Sequence, residues 1–435
     1  MSPEASRPET DSHHIEFDPE VKWPDINQML ARKLRLDTEK LPDLPVEVWL
    51  LIFQLATEVP FAFLPRTESP FDLPPRPTHK EMTAELSRSL ITKRYIALVC
   101  RSWNEIATPF LYGAVLLRST RGVTAAWNTF CGSAESNAGV RLGHHVKRID
   151  VSTRDSQVNH DNTGSDQDEE RRRIAEILQR LPNLSIFTMH THLRSGNATA
   201  IAEALINTSA NTLQTIEWGG LTFGHVCLSG TTWAKLVSSC PNLKSLDGPA
   251  CQIFSTVLHQ DARLGHLSIR HDGREEGNVL PNPPTPSHLR YGSNGGWNLA
   301  HPNTRAYCSR AISLEVRFLS LEELHRLLAQ CPKLSQLVLR IPSWNSMRMP
   351  CLALDPSITH LGLFVEQRQP KLSSLVEGLG CITYWKIPGV KTLRLMSRHL
   401  LLEGDNLKKK RTQKALQEIR AAGLVLENWE GKPFA

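Results

Sequence analysis

From residue 140 onward one short apolar pattern keeps returning: an aliphatic residue, two residues, an aliphatic, one residue, an aliphatic. It reads Val146, Ile149, Val151, then Leu184, Phe187, Met189, then Leu213, Ile216, Trp218. Leu243 with Leu246 and Leu264, Leu267, Ile269 follow. Later copies are Leu314 with Val316, then Leu334, Leu337, Leu339, then Ile358, Leu361, Leu363, and Val390, Leu393, Leu395. A copy expected around Leu289 lacks its later leucines. Apolar residues two apart predict a short strand in each copy. Three copies follow a helical run that ends in a near-identical turn: ILQRLPNL, LVSSCPNL and LLAQCPKL. Pro182, Pro241 and Pro332 stop those helices, and the next leucine starts the strand. Cys240 and Cys331 are expected as small buried apolar residues. Such a unit cannot bury its apolar face alone and must stack on its neighbours.

A different pattern marks the N-terminal region. In LPDLPVEVWLLIFQLA, residues 41–56, Leu44, Val48, Leu51, Ile52 and Leu55 recur at helical spacing. Asp43 is placed as a cap and Pro45 in the first turn, where its missing N–H costs nothing. In YIALVCRSWNEIATPFLY, residues 95–112, Val99, Trp103, Ile106 and Phe110 predict a second helix, which Pro109 ends or kinks. Cys100 is expected inside its apolar face. Between Leu55 and Tyr95 lie 39 residues, with six prolines over 58–80. They predict an extended, exposed loop, cut by proteases near Arg66 or Arg76, with helix resuming near Thr83.

These two stretches resemble the F-box. That family opens on Leu-Pro, an acidic residue and an aliphatic helix, here Leu44, Pro45, Glu47, Val48, Ile52 and Phe53. It closes on an aliphatic, a cysteine, a basic residue and a tryptophan, here Leu98, Val99, Cys100, Arg101 and Trp103. The long spacer departs from the ordinary F-box and resembles the F-box-like proteins of fungi. Loop closure does not forbid it, since doubling a loop costs only about 0.6 kcal/mol. The resemblance implies docking on the Skp-type adaptor of a cullin ubiquitin ligase through Leu44, Pro45, Val48, Ile52, Val99 and Trp103, with Trp103 also fit to be a plain core aromatic.

The repeat's period and its helix–proline–strand cadence resemble leucine-rich repeats, including the cysteine-containing repeats of F-box proteins. The usual asparagine ladder position is missing. The implied fold is α/β: an all-helical F-box followed by an irregular leucine-rich-repeat solenoid. In such a repeat the residues between strand aliphatics face the concave surface. There Arg270, Arg317 and Arg340 follow the last aliphatic of their copies, and Arg394 lies one column over. They are the candidate site for an acidic or phosphorylated target, unless they pair with neighbours such as Glu315.

Composition narrows the classes. The chain has 435 residues, 40% hydrophobic and 22% charged, with a net charge of +6. That charge is small for the length and gives no reason to expect nucleic acid. No apolar run reaches the roughly 18 residues of a membrane span, and the start MSPEASRPETDSHH has no apolar signal region. A cytoplasmic or nuclear location is expected, with the nine cysteines reduced. No GxSxG, GxxxxGK, GxGxxG, HEXXH or CxxC occurs where chemistry would need it, so no catalysis, cofactor or metal is expected.

The expected order is a mostly disordered arm over 1–40 (with a short helix from Ile26 to Leu36), an F-box with inserted loop over 41–113, a solenoid over 140–400, and a basic helix with capping strand over 401–435. Polar gaps are expected from Ser152 to Gln167 and from His271 to Arg305. Lys408 to Arg411 offers an import signal or a merely solvated charge run. The expected function is substrate recognition for a Skp–cullin–F-box ligase; the alternative is a leucine-rich-repeat interaction scaffold without that role.

Overall fold

A computed structural model of the chain describes residues 44–65, 69–72, 79–132, 142–152, 164–190, 198–219, 228–249, 264–271, 286–293, 302–317, 320–344, 352–366, 372–397 and 409–434. The chain divides into two units, Met1–Trp49 and Leu50–Ala435. The described part of the first is the Leu-Pro start and opening turn of helix α1 (Val46–Thr57), where the Val48 and Trp49 amides donate to the Pro45 carbonyl. The arm expected over 1–40, the helix from Ile26 to Leu36 and the cap Asp43 lie outside the described residues.

The second unit carries the rest of α1 and two further helices, α2 (His79–Ala97) and α3 (Arg101–Tyr112). The single helix expected over 95–112 is therefore two. The break at Leu98–Cys100 is made by side chains that satisfy helix ends: the Cys100 thiol accepts from the Trp103 amide at 3.4 Å, and Asn104 Nδ2 donates to the Ala97 carbonyl. Cys100 is thus an exposed N-cap, not a residue of an apolar helix face. Helix α2 begins at His79, four residues before the expected Thr83, and Pro109 sits in the last turn of α3.

Twelve parallel strands follow in one sheet, ordered as in the chain. They are β1 (Ala114–Leu117), β2 (Arg148–Val151), β3 (Ile186–Met189), β4 (Thr215–Trp218), β5 (Ser245–Pro249) and β6 (His266–His271). Then come β7 (His288–Ser293), β8 (Ser313–Arg317), β9 (Gln336–Ile341), β10 (His360–Val365), β11 (Thr392–Leu395) and β12 (Val425–Glu427). Between them run α4 (Thr120–Phe130), α5 (Gly164–Leu178), α6 (Thr199–Ser209), α7 (Gly230–Ser238), α8 (Pro302–Cys308), α9 (Leu321–Leu328), α10 (Leu372–Ile382) and α11 (Lys410–Ala421). Where such a helix intervenes, it makes the chain long enough to return the next strand parallel to the last.

One row of register partners runs through the sheet as Ile149, Phe187, Ile216, Leu246, Leu267, Leu289, Leu314, Leu337, Leu361, Leu393 and Leu426. These side chains join those of the helices, such as Ile174, Leu205, Leu236, Leu324, Leu375 and Leu416, in one continuous core. Each fully buried aliphatic contributes about 1.5–3 kcal/mol. Cys240 and Cys331 belong to that core, and burial pushes the Cys240 thiol up to about 12, so both behave as apolar filler. Leu289 is a full member of the row although its copy lacks later leucines. The sheet also begins earlier than the sequence pattern shows, at β1.

The turns before the strands add polar ties between neighbouring units. Asn183 Nδ2 donates to the His144 carbonyl and Asn242 Nδ2 to Asn211, while Thr212 Oγ1 reaches the Pro182 and Leu184 carbonyls. Two expected gaps are partly structured. Helix α5 already starts at Gly164, and the stretch expected as a gap from His271 to Arg305 holds β7 and the start of α8. At the C-terminal end α11 is followed by β12, which pairs with β11.

Candidate interaction surfaces

Helix α1 buries little. Phe53 is enclosed against Trp103 of α3 with ring centroids 4.9 Å apart, and Thr57 is bonded back to the Phe53 carbonyl. Leu51 is 56% exposed and Leu55 66%, while Val48 and Ile52 are also exposed. In the break after α2, Leu98 is 70% exposed and Val99 is exposed beside it in sequence. Among the residues expected to dock a partner, Pro45, Val48, Ile52 and Val99 are exposed, Leu44 is half-buried, and Trp103 is half-buried against Phe53. Isolated apolar residues on a surface are ordinary, but a helix that leaves four aliphatics at positions 48, 51, 52 and 55 uncovered is not.

The second surface is the face of the sheet turned away from the helices. Residues alternate sides along a strand, so the positions between the core aliphatics share it. One of its rows runs Asp150, Thr188, Glu217, Asp247, Ser268, Arg290, Glu315, Val338, Gly362, Arg394 and Glu427. Most of that row is buried, which a solvent-facing concave wall would not be.

Its cover is the spacer between α1 and α2, which the sequence predicts as an extended, exposed loop. The described parts are packed instead. Val59 and Ala62 join Met82 and Leu86 of α2 and Ala114 of β1 in a small core. Phe61 holds a positive φ of 64°, a strained turn for a side chain of that size. The Ala62 carbonyl accepts from Arg148 Nη1, and Arg148 makes a two-pronged pair with Asp150. Burial pushes the Asp150 carboxyl above the usual range, against the pull of Arg148. Farther along, Ser69 Oγ donates to Gln336 of β9, and Phe71 packs on Val338 and Met396 beside His360. Gly362 makes the room: a Cβ there would stand 2.7 Å from Met396 Cε and 3.0 Å from Val338 Cγ2. Burial lowers the pKa of His288 on β7, and the charge of Asp72 partly opposes it. Finally, His79, at the start of α2, stacks at 3.9 Å on His190 at the end of β3. The described residues of this segment, 59–65 and 69–72, form a strap on the polar face. Arg66 and Arg76, the expected cleavage points, lie outside the described residues.

Of the arginines expected to bind a target, Arg317, Arg340 and Arg394 are on this face and already engaged. Arg317 and Arg340 are register partners on adjacent strands. Arg340 donates to Glu315 at 2.8 Å and to Glu366 at 3.4 Å and lies over the Phe364 ring; Arg317 reaches Glu366 at 3.3 Å. Burial works against the charge of Arg340, but Glu315 and Glu366 hold its pKa above the ordinary value. Arg394 bonds Glu427 at 2.8 Å and lies over Phe71 of the strap. The backbone of Arg270 pairs with Pro249 and Gly292; its side chain is outside the described set. An acidic ligand here has to displace carboxylates of this same chain. The sequence pattern named Glu315 as a possible partner but not Glu366, Glu427 or Phe71, which are distant in the chain.

Among the described residues no helix is long and apolar enough to cross a membrane. The arrangement defines a class: a parallel strand–helix repeat preceded by a short helical region, with a chain segment laid across its polar face. No protein-family model matches the chain, and no curated protein does. Among solved structures the chain is similar to the leucine-rich repeat-containing protein LegL7 from Legionella pneumophila, at 12% identity and a TM-score of 0.34 over 74% of this chain and 92% of that one.

Proposed function

We propose that the chain is a non-catalytic adaptor of the F-box type, a solenoid of leucine-rich repeats that presents a target protein to a Skp–cullin ubiquitin ligase. The observation that carries this reading is the uncovered aliphatic set on α1, joined with the Leu44-Pro45 start and the Val99-Cys100-Arg101 sequence at the start of α3. A Skp-type adaptor is the occupant that the sequence resemblance implies for those residues. The polar face is assigned to the target, with Arg317, Arg340 and Arg394 as cations that an acidic segment takes over from Glu315, Glu366 and Glu427.

The test is affinity purification of the full chain beside two variants, Leu44→Ala with Pro45→Ala, and Val48→Asp with Ile52→Asp. Wild type should bring down the Skp adaptor and cullin, and both variants should lose them, since truncating interface anchors typically costs about 2 kcal/mol or more. Undiminished adaptor recovery, with circular dichroism unchanged, rejects the F-box reading. Recovery of the adaptor without cullin favours the plain interaction scaffold.

A further inference from the structure

Where the strap rejoins α2, three side chains from three distant parts of the sequence converge: His79 opening α2, His190 following β3, and Glu217 in β4. Each offers a ligand atom, and those atoms all lie within 4.8 Å of one another. His190 and Glu217 are buried, and His79 is half-buried. The second, independent observation is His190 itself. Its side chain is 5% exposed, neither ring nitrogen has a hydrogen-bond partner, and Nε2 stands 3.9 Å from Glu217 Oε2. A buried imidazole with both nitrogens unmet costs about 1–3 kcal/mol per group unless something meets them. We propose that His79, His190 and Glu217 bind a divalent transition-metal ion of the zinc class.

Three points of chemistry favour such an ion. Two imidazoles and one carboxylate are a donor set that zinc takes with a water at the fourth position. Tetrahedral ligand atoms at zinc bond lengths stand about 3.4 Å apart, so the site closes by about 1.4 Å of side-chain rotation. The surroundings are anionic as well: Glu217 has Asp247 as its register partner, and its charge raises the pKa of Asp150 two strands away. A neutral imidazole pair leaves that field in place, whereas a divalent cation opposes it.

The position gives the ion a structural task. His79 is the first residue of α2, His190 directly follows β3, and Glu217 lies in β4. Metal binding therefore ties the start of α2 to the polar face of the repeat. Spacing rules applied to the sequence find no such site, because 110 residues separate His79 from His190 and 26 separate His190 from Glu217.

The test uses untagged full-length chain, stripped with chelator, reloaded with zinc and dialysed. Wild type should retain one more zinc per chain by atomic emission than His79→Asn, His190→Asn or Glu217→Gln. Cobalt(II) should give wild type a visible tetrahedral band that each variant lacks. Saturating zinc should raise the melting temperature of wild type by about 3 °C and leave the variants unmoved. If His190→Asn fails to fold, the half-buried His79→Asn and the isosteric Glu217→Gln carry the comparison. Equal zinc in wild type and variants overturns the proposal. So does a pH-dependent melting difference between wild type and His190→Asn that appears without any difference in zinc, which would mark a proton-titrating pair instead. None of these readouts depends on Skp binding.

Discussion

The two faces of the twelve-stranded sheet are made of the same strands but held by different physics. On the helix side, aliphatics in one register repeat from Ile149 to Leu426, and any copy is replaceable by its neighbours' logic. On the other side, no row repeats: Asp150, Glu217, Arg290, Val338, Gly362 and Arg394 occupy equivalent positions. The described residues of one segment, 59–65 and 69–72, meet that face at separate places, with Arg148 on β2, Gln336 and Val338 on β9 and Arg394 on β11 as partners. Repetition stabilises the first face and makes it tolerant. The second face depends on single contacts, each specific to one place.

The largest expected effect breaks the strap face at its most buried charge pair. Replacing Arg148 by Met leaves Asp150 buried beside an apolar chain and should cost about 3–5 kcal/mol in urea unfolding. Replacing both, with Arg148→Met and Asp150→Leu, should recover most of the loss. A single variant as stable as wild type would mean that Asp150 is met by other groups.

On the helix face, Leu361→Ala should cost about 2–4 kcal/mol through lost burial and a residual cavity. Because each unit leans only on its neighbours, hydrogen exchange should quicken first in β9–β11 and least near β2. Uniform quickening along the sheet would contradict that nearest-neighbour picture.

Phe71→Ala sits between these in place and below them in size. Removing a ring packed on Val338 and Met396 should cost about 2 kcal/mol, confined to the strap. Exchange at residues 69–72 and protease access to the spacer should increase while the core rows stay protected. If acidic targets compete for the same face, this variant should bind them more tightly than wild type does, and Arg340→Glu more weakly.

The smallest effect lies outside both faces. Lys93 of α2 is 4% exposed, and desolvation lowers its pKa below 10.5. Between that lowered value and 10.5 the unfolded chain binds more protons than the folded one, so wild-type stability should rise with pH there. Lys93→Met should stabilise by about 1 kcal/mol at neutral pH and flatten that rise. An unchanged pH profile would mean the ammonium finds a partner.

How much of this was legible in the sequence divides along the same line. The strands β2–β6 and β8–β11, the proline-stopped turns, the buried Cys240 and Cys331 and the apolar start of α1 follow from local periodicity, which registers whatever must face one common core. Strand β1 escaped because Ala114–Leu117 is a short run of apolar residues without the spacing of the later copies. The break at Cys100 escaped because apolar spacing continues across it while the cap is a single thiol. What only the tertiary structure decided is the partnership of residues far apart in the chain: the strap over the polar face, Arg340 between Glu315 and Glu366, and His79 with His190 and Glu217. A repeating pattern determines which way side chains point, because alternation is a property of the strand itself. Which distant groups then meet depends on where a non-repeating segment comes to rest, and proline-rich sequence carries no period from which to read that.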